Sequence, residues 1–269
     1  LCVLDSCSEG MKKPDSLAGL GTEQVAWLKE DLEQAKGDWL IAFFHHPPYT
    51  KGSHDSDSVK DYESRVMREK YLPKPTDHRW SAGTLDNTGD AINEGLRIGA
   101  KMHRLDEAWW CNTISVPGEE IPRLSIMEKS YPGSIMVNPA GERFSNESQN
   151  YMAFQQETFA KHSDENPLNP TWQIFDATFR ATYFVGPLYN SKFMPDWALP
   201  KRYEEQGFFA KADTIEELAR KIHVDASGLE ESVRKMNEFA RSGEDTDLHR
   251  GESAYDRYYG DPRVTPNPC

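Results

Sequence analysis

The chain has 269 residues, of which 37% are hydrophobic and 28% are charged, a globular composition that suits one large core or two smaller ones. Its formal net charge of -13 would repel phosphate backbones, and no Lys/Arg stripe with interleaved aromatic residues occurs, so we expect no nucleic-acid partner. No apolar run reaches the ~18 residues of a membrane span, so none is predicted.

The cysteines and the chain ends suggest a cytoplasmic fragment. Cys2, Cys7, Cys111 and Cys269 are too few and too scattered for a disulfide framework or a zinc knuckle, so we expect a reducing cytoplasm. The chain begins at Leu1, shows no signal peptide and stops after Pro-Asn-Pro, which we interpret as truncation at both ends. No feature predicts an oligomeric state.

The first predicted element is a short amphipathic helix. Thr22 is a candidate N-cap, and Val25, Leu28 and Leu32 repeat at helical spacing until Gly37 provides a C-terminal stop. An apolar strand from Trp39 to Phe44 follows.

Two histidines mark the end of that strand. The prolines that follow His45 and His46 cannot continue the strand, so both histidines fall at its end. The strings Gly21-Thr-Glu-Gln-Val-Ala-Trp-Leu-Lys-Glu-Asp-Leu32 and Phe43-Phe-His-His-Pro-Pro-Tyr-Thr-Lys-Gly-Ser-His54 resemble the purple-acid-phosphatase-like branch of the calcineurin-type metallophosphoesterases. The resemblance implies that His45 is a metal ligand and that His54 lies on the phosphate side.

A two-metal centre needs several carboxylate, Asn and His ligands. None of the family's Asp-x-His, Gly-Asp-x-x-Asp and Gly-Asn-His motifs precedes this segment, and no Gly-His-x-His follows it. We therefore expect a divalent metal pair only if the fragment were complete. The alternative is that His45 and His46 are polar residues at a strand end.

From about Tyr62 a second set of motifs begins. The motifs are Met67-Arg-Glu-Lys-Tyr-Leu-Pro73, Asn87-Thr-Gly-Asp-Ala-Ile92, Gly99-Ala100, Asp106-Glu-Ala-Trp-Trp110, Val137-Asn-Pro-Ala-Gly-Glu-Arg-Phe-Ser-Asn-Glu147, Ile174-Phe-Asp176 and Arg250-Gly-Glu-Ser-Ala-Tyr-Asp-Arg-Tyr-Tyr-Gly-Asp261. In this order they resemble the FAD-dependent fumarate reductase and succinate dehydrogenase flavoprotein superfamily, and within it the 3-ketosteroid Δ1-dehydrogenase-like branch. The resemblance implies FAD as the cofactor and a small apolar ketone or steroid-like substrate.

The two resemblances together predict a mixed α+β and α/β fold. The phosphoesterase-like and flavoprotein-like parts would be joined in the polar segment 53–61. Residues 1–58 would be a βα fragment of a metallophosphoesterase sandwich and 59–150 a partial α/β FAD-binding domain. Residues 151–262 would form an α+β substrate cap, and 263–269 a truncated return to the FAD domain.

The segment Thr88-Gly89-Asp90 precedes a helical pattern with Ile92 and Leu96 on one face. The helix N-terminus at Gly89 would suit an anionic or polar cofactor edge. With the flanking motifs, the resemblance implies that Thr88, Gly89 and Asp90 form a loop beside the flavin. The alternative is an ordinary helix N-terminus.

A hairpin is predicted around residues 134–144. Ser134 to Val137 reads as a strand, Asn138-Pro-Ala-Gly141 has turn residues at the expected positions, and Arg143 begins the return. The resemblance implies that Arg143 and Glu147 line the cleft between the FAD domain and the cap. The alternative is a structural Arg–Glu pair that holds the hairpin.

The region 213–243 carries the strongest helical patterns. Thr214 and Ser227 each begin a capping box with a glutamate three residues later. The apolar stripes are packing faces: Ile215, Leu218 and Ile222 in one helix; Leu229, Val233, Met236 and Ala240 in the next.

Aromatic residues between 172 and 209 could line an apolar pocket or fill a core. A Δ1-dehydrogenation needs a base that removes one proton and a flavin that accepts a hydride. The resemblance makes Tyr183 the candidate cap-domain base, and a buried tyrosine with a structural hydrogen bond is the alternative.

The Gly-x-Gly-x-x-Gly turn that seats an FAD pyrophosphate is absent from the chain. We therefore expect little FAD binding by the chain alone. Three hypotheses remain: a flavin-dependent ketosteroid dehydrogenase fragment, a metallophosphoesterase that His45→Ala would inactivate, and a non-catalytic composite of two enzyme fragments.

Overall fold

The computed structural model describes residues 2–3, 22–34, 42–43, 68–83 and 89–265. The chain divides into two compact units, Leu1–Tyr62 with Asp86–Thr88, and Glu63–Leu85 with Gly89–Cys269. None of the helices in the described ranges is long and apolar enough to cross a membrane.

The first unit contains two short strands and a helix. Strand β1 (Cys2–Val3) pairs in parallel with β2 (Ala42–Phe43), and α1 (Thr22–Gln34) lies between them in the sequence. The predicted helix and strand are both present, although α1 ends before Gly37. His45 lies outside the described residues, so its role as a metal ligand stays a prediction.

The second unit combines short helices with two antiparallel strand pairs, β3 with β4 and β5 with β6. Its 3-10 turns are His78–Trp80, Glu128–Ser130 and Asp196–Ala198. Its named elements are α2 (Asp90–Arg97), β3 (Asn112–Ile114), β4 (Arg123–Ser125), β5 (Ser134–Val137), α3 (Tyr151–Lys161), β6 (Trp172–Phe175), α4 (Ala177–Thr182), α5 (Arg202–Glu205), α6 (Ile215–Ile222), α7 (Ala226–Ser242) and α8 (Ala254–Tyr258).

The predicted turn after β5 is present, and it packs against the N-terminus of α7. The Gly141 N–H donates to the Asn138 carbonyl at 2.9 Å, and the chain returns through a bridge between Val137 and Arg143. A Cβ at Gly141 would lie 2.3 Å from the backbone nitrogen of Leu229. The turn therefore approaches the helix so closely that only glycine fits.

The main core lies between the β5–β6 pair and the helices α6 and α7. Ile135 and Val137 from β5 pack with Ile222 and Leu229, and the predicted stripe residues Ile215, Leu218, Val233 and Met236 pack around them. Residue 150 is the predicted boundary between the FAD-binding domain and the cap. Because β5 pairs with β6, this core includes residues on both sides of that boundary.

The two predicted capping boxes have different outcomes. Thr214 caps α6, where its hydroxyl accepts the Glu217 N–H at 3.1 Å. The Ser227 box is wrong, because α7 begins at Ala226 and its cap is Asp225, which accepts the Gly228 N–H at 2.8 Å. Asp caps a helix as well as Ser does, so the local pattern allowed either start.

Candidate active site around Tyr183

Tyr183 directly follows the short helix α4. The helix begins at Asp176, whose carboxylate accepts the Phe179 N–H at 2.7 Å. It ends where Tyr183 adopts extended backbone and donates its N–H to the Phe179 carbonyl at 2.8 Å. The capped helix therefore fixes where the Tyr183 side chain leaves the backbone.

Neighbouring aromatic rings hold the Tyr183 ring. Tyr131 stacks on it with centroids 4.6 Å apart and the planes inclined by 19°. Phe179 packs against it at 5.2 Å, and Phe184 meets the Tyr131 ring edge-on at 6.1 Å. Such ring pairs contribute about 0.5–1.5 kcal/mol each beyond simple burial, so the ring is fixed on its apolar side.

An open pocket of about 520 Å³ lies beside these rings. One side of it is aromatic and the other side is a polar segment near the end of the described chain. The lining residues are Tyr131, Thr182, Tyr183, Phe184, Gly260, Asp261, Pro262 and Arg263.

The Tyr183 hydroxyl is bound to a carboxylate at the pocket. It donates to Asp261 Oδ2 at 2.8 Å, and Arg263 donates to the same carboxylate from Nε at 2.8 Å and from Nη2 at 2.7 Å. Burial and the hydrogen bond to Asp261 raise the pKa of Tyr183. The hydrogen bonds from Arg263 and Tyr183 lower the pKa of Asp261.

Arg250 holds the backbone that carries Tyr131. Its Nη2 donates to the carbonyls of Ser130 and Tyr131, both at 3.0 Å, and its Nη1 donates to the Ser134 carbonyl at 2.8 Å. The Arg250 side chain is fully buried, so these charge-assisted bonds form away from water. The position of Tyr131 against Tyr183 thus depends on a residue far along the chain.

Arg143 and Glu147 form a buried ion pair. Arg143 donates to Glu147 from Nε at 2.9 Å and from Nη2 at 2.7 Å, and Nη2 also donates to Asp245 at 2.8 Å. Glu147 accepts the Met136 N–H at 3.1 Å as well. Burial opposes the ionisation of Glu147, but Arg143 outweighs it and lowers the pKa of the carboxyl.

These contacts agree with the alternative given above, in which Arg143 and Glu147 form a structural pair that holds the hairpin. The pair joins the hairpin to the segment after α7 through Asp245, and both side chains are almost fully enclosed. A role for the two residues at the edge of FAD stays a prediction.

Lys129 is another buried cation near this pair, in addition to Arg250. Its Nζ donates to the Glu147 carbonyl at 2.7 Å and to the Gln149 carbonyl at 2.9 Å, and it lies 4.9 Å from the Phe154 ring centroid. Burial lowers the pKa of Lys129 to about 8. The folded protein therefore holds this proton less tightly than the unfolded chain does.

The free energy of unfolding is expected to rise with pH between about 8 and ~10.4, because the unfolded lysine retains its proton throughout this range. The contribution of one such proton is at most about 1.4 kcal/mol per pH unit. Urea unfolding at several pH values would measure it. Lys129→Met should remove this part of the slope, whereas the exposed-lysine variant Lys235→Met should keep it; equal slopes in all three proteins would contradict the expectation.

The predicted flavin loop is described only in part. Thr88 lies outside the described residues. Gly89 has φ +80° and immediately precedes α2, whose first residue is Asp90, so the predicted helix N-terminus is present. Leu96, which belongs to the predicted apolar stripe of α2, is 44% exposed.

The sequence did not single out Tyr131, Arg250, Asp261 and Arg263. Arg250 and Asp261 lie inside a quoted family motif, but nothing local marks either residue as a partner of a tyrosine. Of the aromatic residues proposed for an apolar pocket, Tyr183 and Phe184 line it, Phe179 and Phe209 are buried in cores, and Trp197 is 87% exposed.

Residues 63–268 match the model of a protein family described as FAD binding domain. The chain belongs to this family. The match begins at residue 63, so the metallophosphoesterase resemblance of residues 1–58 stays a prediction.

Relatives within this family include steroid dehydrogenases. The chain is 36% identical over 240 residues to a 3-oxosteroid 1-dehydrogenase from Mycobacterium tuberculosis, which covers 82% of this chain and 41% of the relative. It is 39% identical over 206 residues to the Mycolicibacterium smegmatis 3-oxosteroid 1-dehydrogenase, which covers 75% of this chain and 35% of the relative. The chain therefore spans less than half the length of these relatives.

A solved structure agrees with these matches. The 3-ketosteroid delta1-dehydrogenase from Sterolibacterium denitrificans, crystallised with 1,4-androstadiene-3,17-dione, is 41% identical with a TM-score of 0.69. The superposition covers 77% of this chain and 36% of that structure. The predicted resemblance to FAD flavoproteins, in their steroid dehydrogenase branch, is confirmed.

Within the matched range, the described residues include a helix N-terminus of the kind that can bind an anionic or polar edge of a cofactor. The N-terminus of α2 offers Gly89, which has no side chain, followed by the first amides of an eight-residue helix. The described strands between 68 and 265 pair only antiparallel, so this part contains no parallel βαβ unit that could seat a pyrophosphate.

Proposed function

We propose that this chain provides the substrate side of an FAD-dependent dehydrogenase that acts on a 3-ketosteroid. Three facts support the proposal: membership of the FAD binding domain family, steroid dehydrogenase relatives at 36% and 39% identity, and a solved structure at 41%. Because the chain spans less than half of each relative, the dehydrogenase activity of the whole protein is itself a part of what we propose.

The placement of Tyr183 carries the proposal. Tyr183 lines a pocket with aromatic rings on one side, its oxygen is bound to Asp261 of the same pocket, and the stacked Tyr131 fixes its ring. A flat, apolar ring system suits an aromatic wall, and a polar atom at its edge suits chemistry on a carbon next to a ketone.

Formation of a carbon–carbon double bond beside a ketone removes two hydrogens from adjacent carbons. Tyr183 is protonated at rest, so it would first release its phenolic proton to solvent. Its Oη would then take one hydrogen as a proton from the carbon next to the carbonyl, whose acidity the ketone raises. FAD, when bound, accepts the other hydrogen as a hydride. An external acceptor then takes the two electrons, which balances the reaction.

We propose that the N-terminus of α2 at Gly89, with Thr88 and Asp90, lies at an edge of FAD. The helix end presents backbone N–H groups and a partial positive charge. Any role of Arg143 and Glu147 toward FAD would be indirect, because their charges are already paired with each other and with Asp245.

The experiment begins with loading. Because the chain lacks the turn that seats the FAD pyrophosphate, we expect weak binding, so bound flavin is measured by equilibrium dialysis in excess FAD. No bound flavin at any FAD concentration contradicts the cofactor part of the proposal. The loaded protein then receives 4-androstene-3,17-dione and a redox dye.

Dye reduction with formation of the 1,4-diene is the expected result. The matched control is the steroid with a 3-hydroxyl in place of the 3-ketone, which lacks the group that makes the neighbouring C–H acidic. Equal dye reduction with both steroids, or none with either, would contradict the proposed substrate class.

A further inference from the structure

The carboxylate of Asp261 joins two other residues of the pocket, Tyr183 and Arg263. It accepts hydrogen bonds from the Tyr183 hydroxyl at 2.8 Å and from the Arg263 backbone N–H at 3.0 Å, in addition to the two from the Arg263 guanidinium. Tyr183 and Asp261 are 78 residues apart in the sequence. The contact therefore depends on the tertiary structure and on the Arg263 anchor.

Asp261 is not an ordinary surface ion-pair residue. Its side chain is 7% exposed, whereas that of Arg263 is 83% exposed. Arg263 thus reaches from the solvent side to a carboxylate that has little exposed surface of its own. A hydrogen bond to such a shielded carboxylate is stronger than one formed in open water.

We propose that Asp261, anchored by Arg263, is a positioning residue for Tyr183. It accepts the phenolic proton in a hydrogen bond, and so fixes the orientation of the hydroxyl and keeps it protonated at rest. The consequence for proton removal from a substrate rests on the proposed function of Tyr183, but the positioning itself does not.

Three ionisable groups act on the Tyr183 hydroxyl. The negative charge of Asp261 disfavours the phenolate, the positive charge of Arg263 favours it, and Tyr131 disfavours it slightly once ionised. Changes at Asp261 and Arg263 must therefore move the ionisation of Tyr183 in opposite directions. If the contact were not formed in solution, neither substitution would shift the ionisation of Tyr183.

Ultraviolet titration of the phenolate tests the inference in the full chain without any catalytic assay. The chain has 11 tyrosines, so each protein is compared with its own Tyr183→Phe twin, and the difference reports Tyr183 alone. Asp261→Asn keeps the shape and an acceptor oxygen but removes the charge. Arg263→Gln removes the exposed positive charge and leaves the carboxylate in place.

The expected result is that Asp261→Asn moves the Tyr183 ionisation to lower pH by about one pH unit and that Arg263→Gln moves it to higher pH. An unchanged curve in both variants, or a shift in the same direction, overturns the inference. Because the Arg263 side chain is mostly exposed, that variant remains informative even if Asp261→Asn fails to fold.

The activity readout separates this inference from the proposed function. If Tyr183 is the base as a phenolate, Asp261→Asn should move the rise of kcat with pH to lower pH, with little change in KM. Opposite titration shifts with activity retained in Tyr183→Phe would support the positioning and contradict the catalytic role. Unchanged titration curves together with loss of activity in Tyr183→Phe would contradict the positioning and support the catalytic role.

Discussion

Replacement of Tyr183 by Phe is expected to lower kcat for 3-ketosteroid dehydrogenation by about 10²–10⁴-fold, the usual contribution of a positioned general base. KM should change little, because the ring that stacks on Tyr131 is retained and only the oxygen is lost. The measurement is steady-state dye reduction by the FAD-loaded protein over a range of steroid concentrations.

Tyr189→Phe is the matched control for this prediction. Tyr189 lies six residues further along the chain, is 51% exposed and does not line the pocket. The same loss of one phenolic oxygen there should leave kcat unchanged. If the two variants lose activity equally, or if Tyr183→Phe retains full kcat, Tyr183 is not the base.

Stability should be nearly preserved in Tyr183→Phe. The variant loses one hydrogen bond to Asp261, which is worth about 0.5–1.5 kcal/mol for a typical pair. A melting curve close to that of the unmodified protein would show that the loss of activity comes from the missing oxygen rather than from unfolding.

Replacement of Arg143 by Met is expected to lower the free energy of unfolding by about 3–5 kcal/mol, as is usual when one partner of a buried ion pair is removed. Arg143 pairs with both Glu147 and Asp245, whose side chains have no exposed surface. The variant would leave the buried carboxylate of Asp245 without its cation and would leave Glu147 with only Arg250 among the described residues as an ion-pair partner, at 3.5 Å. Urea unfolding at neutral pH measures the loss.

Arg234→Met is the control in an exposed setting. Arg234 pairs with Glu231 and Glu238, but all three side chains are about half exposed, so its removal should cost far less than removal of Arg143. The double variant Arg143→Met, Glu147→Gln should recover part of the loss, because it removes one of the stranded charges. Equal losses for Arg143→Met and Arg234→Met would contradict the expected importance of burial.

The same network predicts acid sensitivity. The pKa of Glu147 and that of Asp245 are lowered in the folded state, chiefly because Arg143 outweighs the effect of burial. Their stabilisation is present above the ordinary carboxyl pKa and is lost as the pH falls toward the lowered values. Arg143→Met should therefore flatten the decline of stability in acid.

Local patterns were enough to predict several elements of the fold. The helices at Ile215–Ile222 and Ala226–Ser242 followed from apolar spacing, because i, i+3 and i+4 positions share a helix face whatever surrounds them. The Asn138–Gly141 turn followed from residue types that tolerate its backbone geometry. Family motifs indicated the flavoprotein class, which the family match confirmed.

Cap choice and strand pairing required more than a local pattern. Ser227 and Asp225 are both good caps. The Asp225 N–H donates to the Pro139 carbonyl at 2.9 Å, and a pattern within the helix sequence cannot predict a contact with so distant a residue. The partner of β5 is β6, a strand that begins 35 residues after β5 ends. A strand's alternation indicates which face is buried but not which strand lies beside it.

The sequence by itself determined the helices, the turn, the flavoprotein motifs and Tyr183 as the candidate base. Only the tertiary structure decided the partners of the polar groups: Asp245 joins Arg143 across 102 residues, Arg250 reaches Tyr131 across 119, and Asp261 meets Tyr183 across 78. The physical reason is that helix and turn preferences act over a few residues. A buried charge, by contrast, takes whichever partner the packed core brings within hydrogen-bond distance.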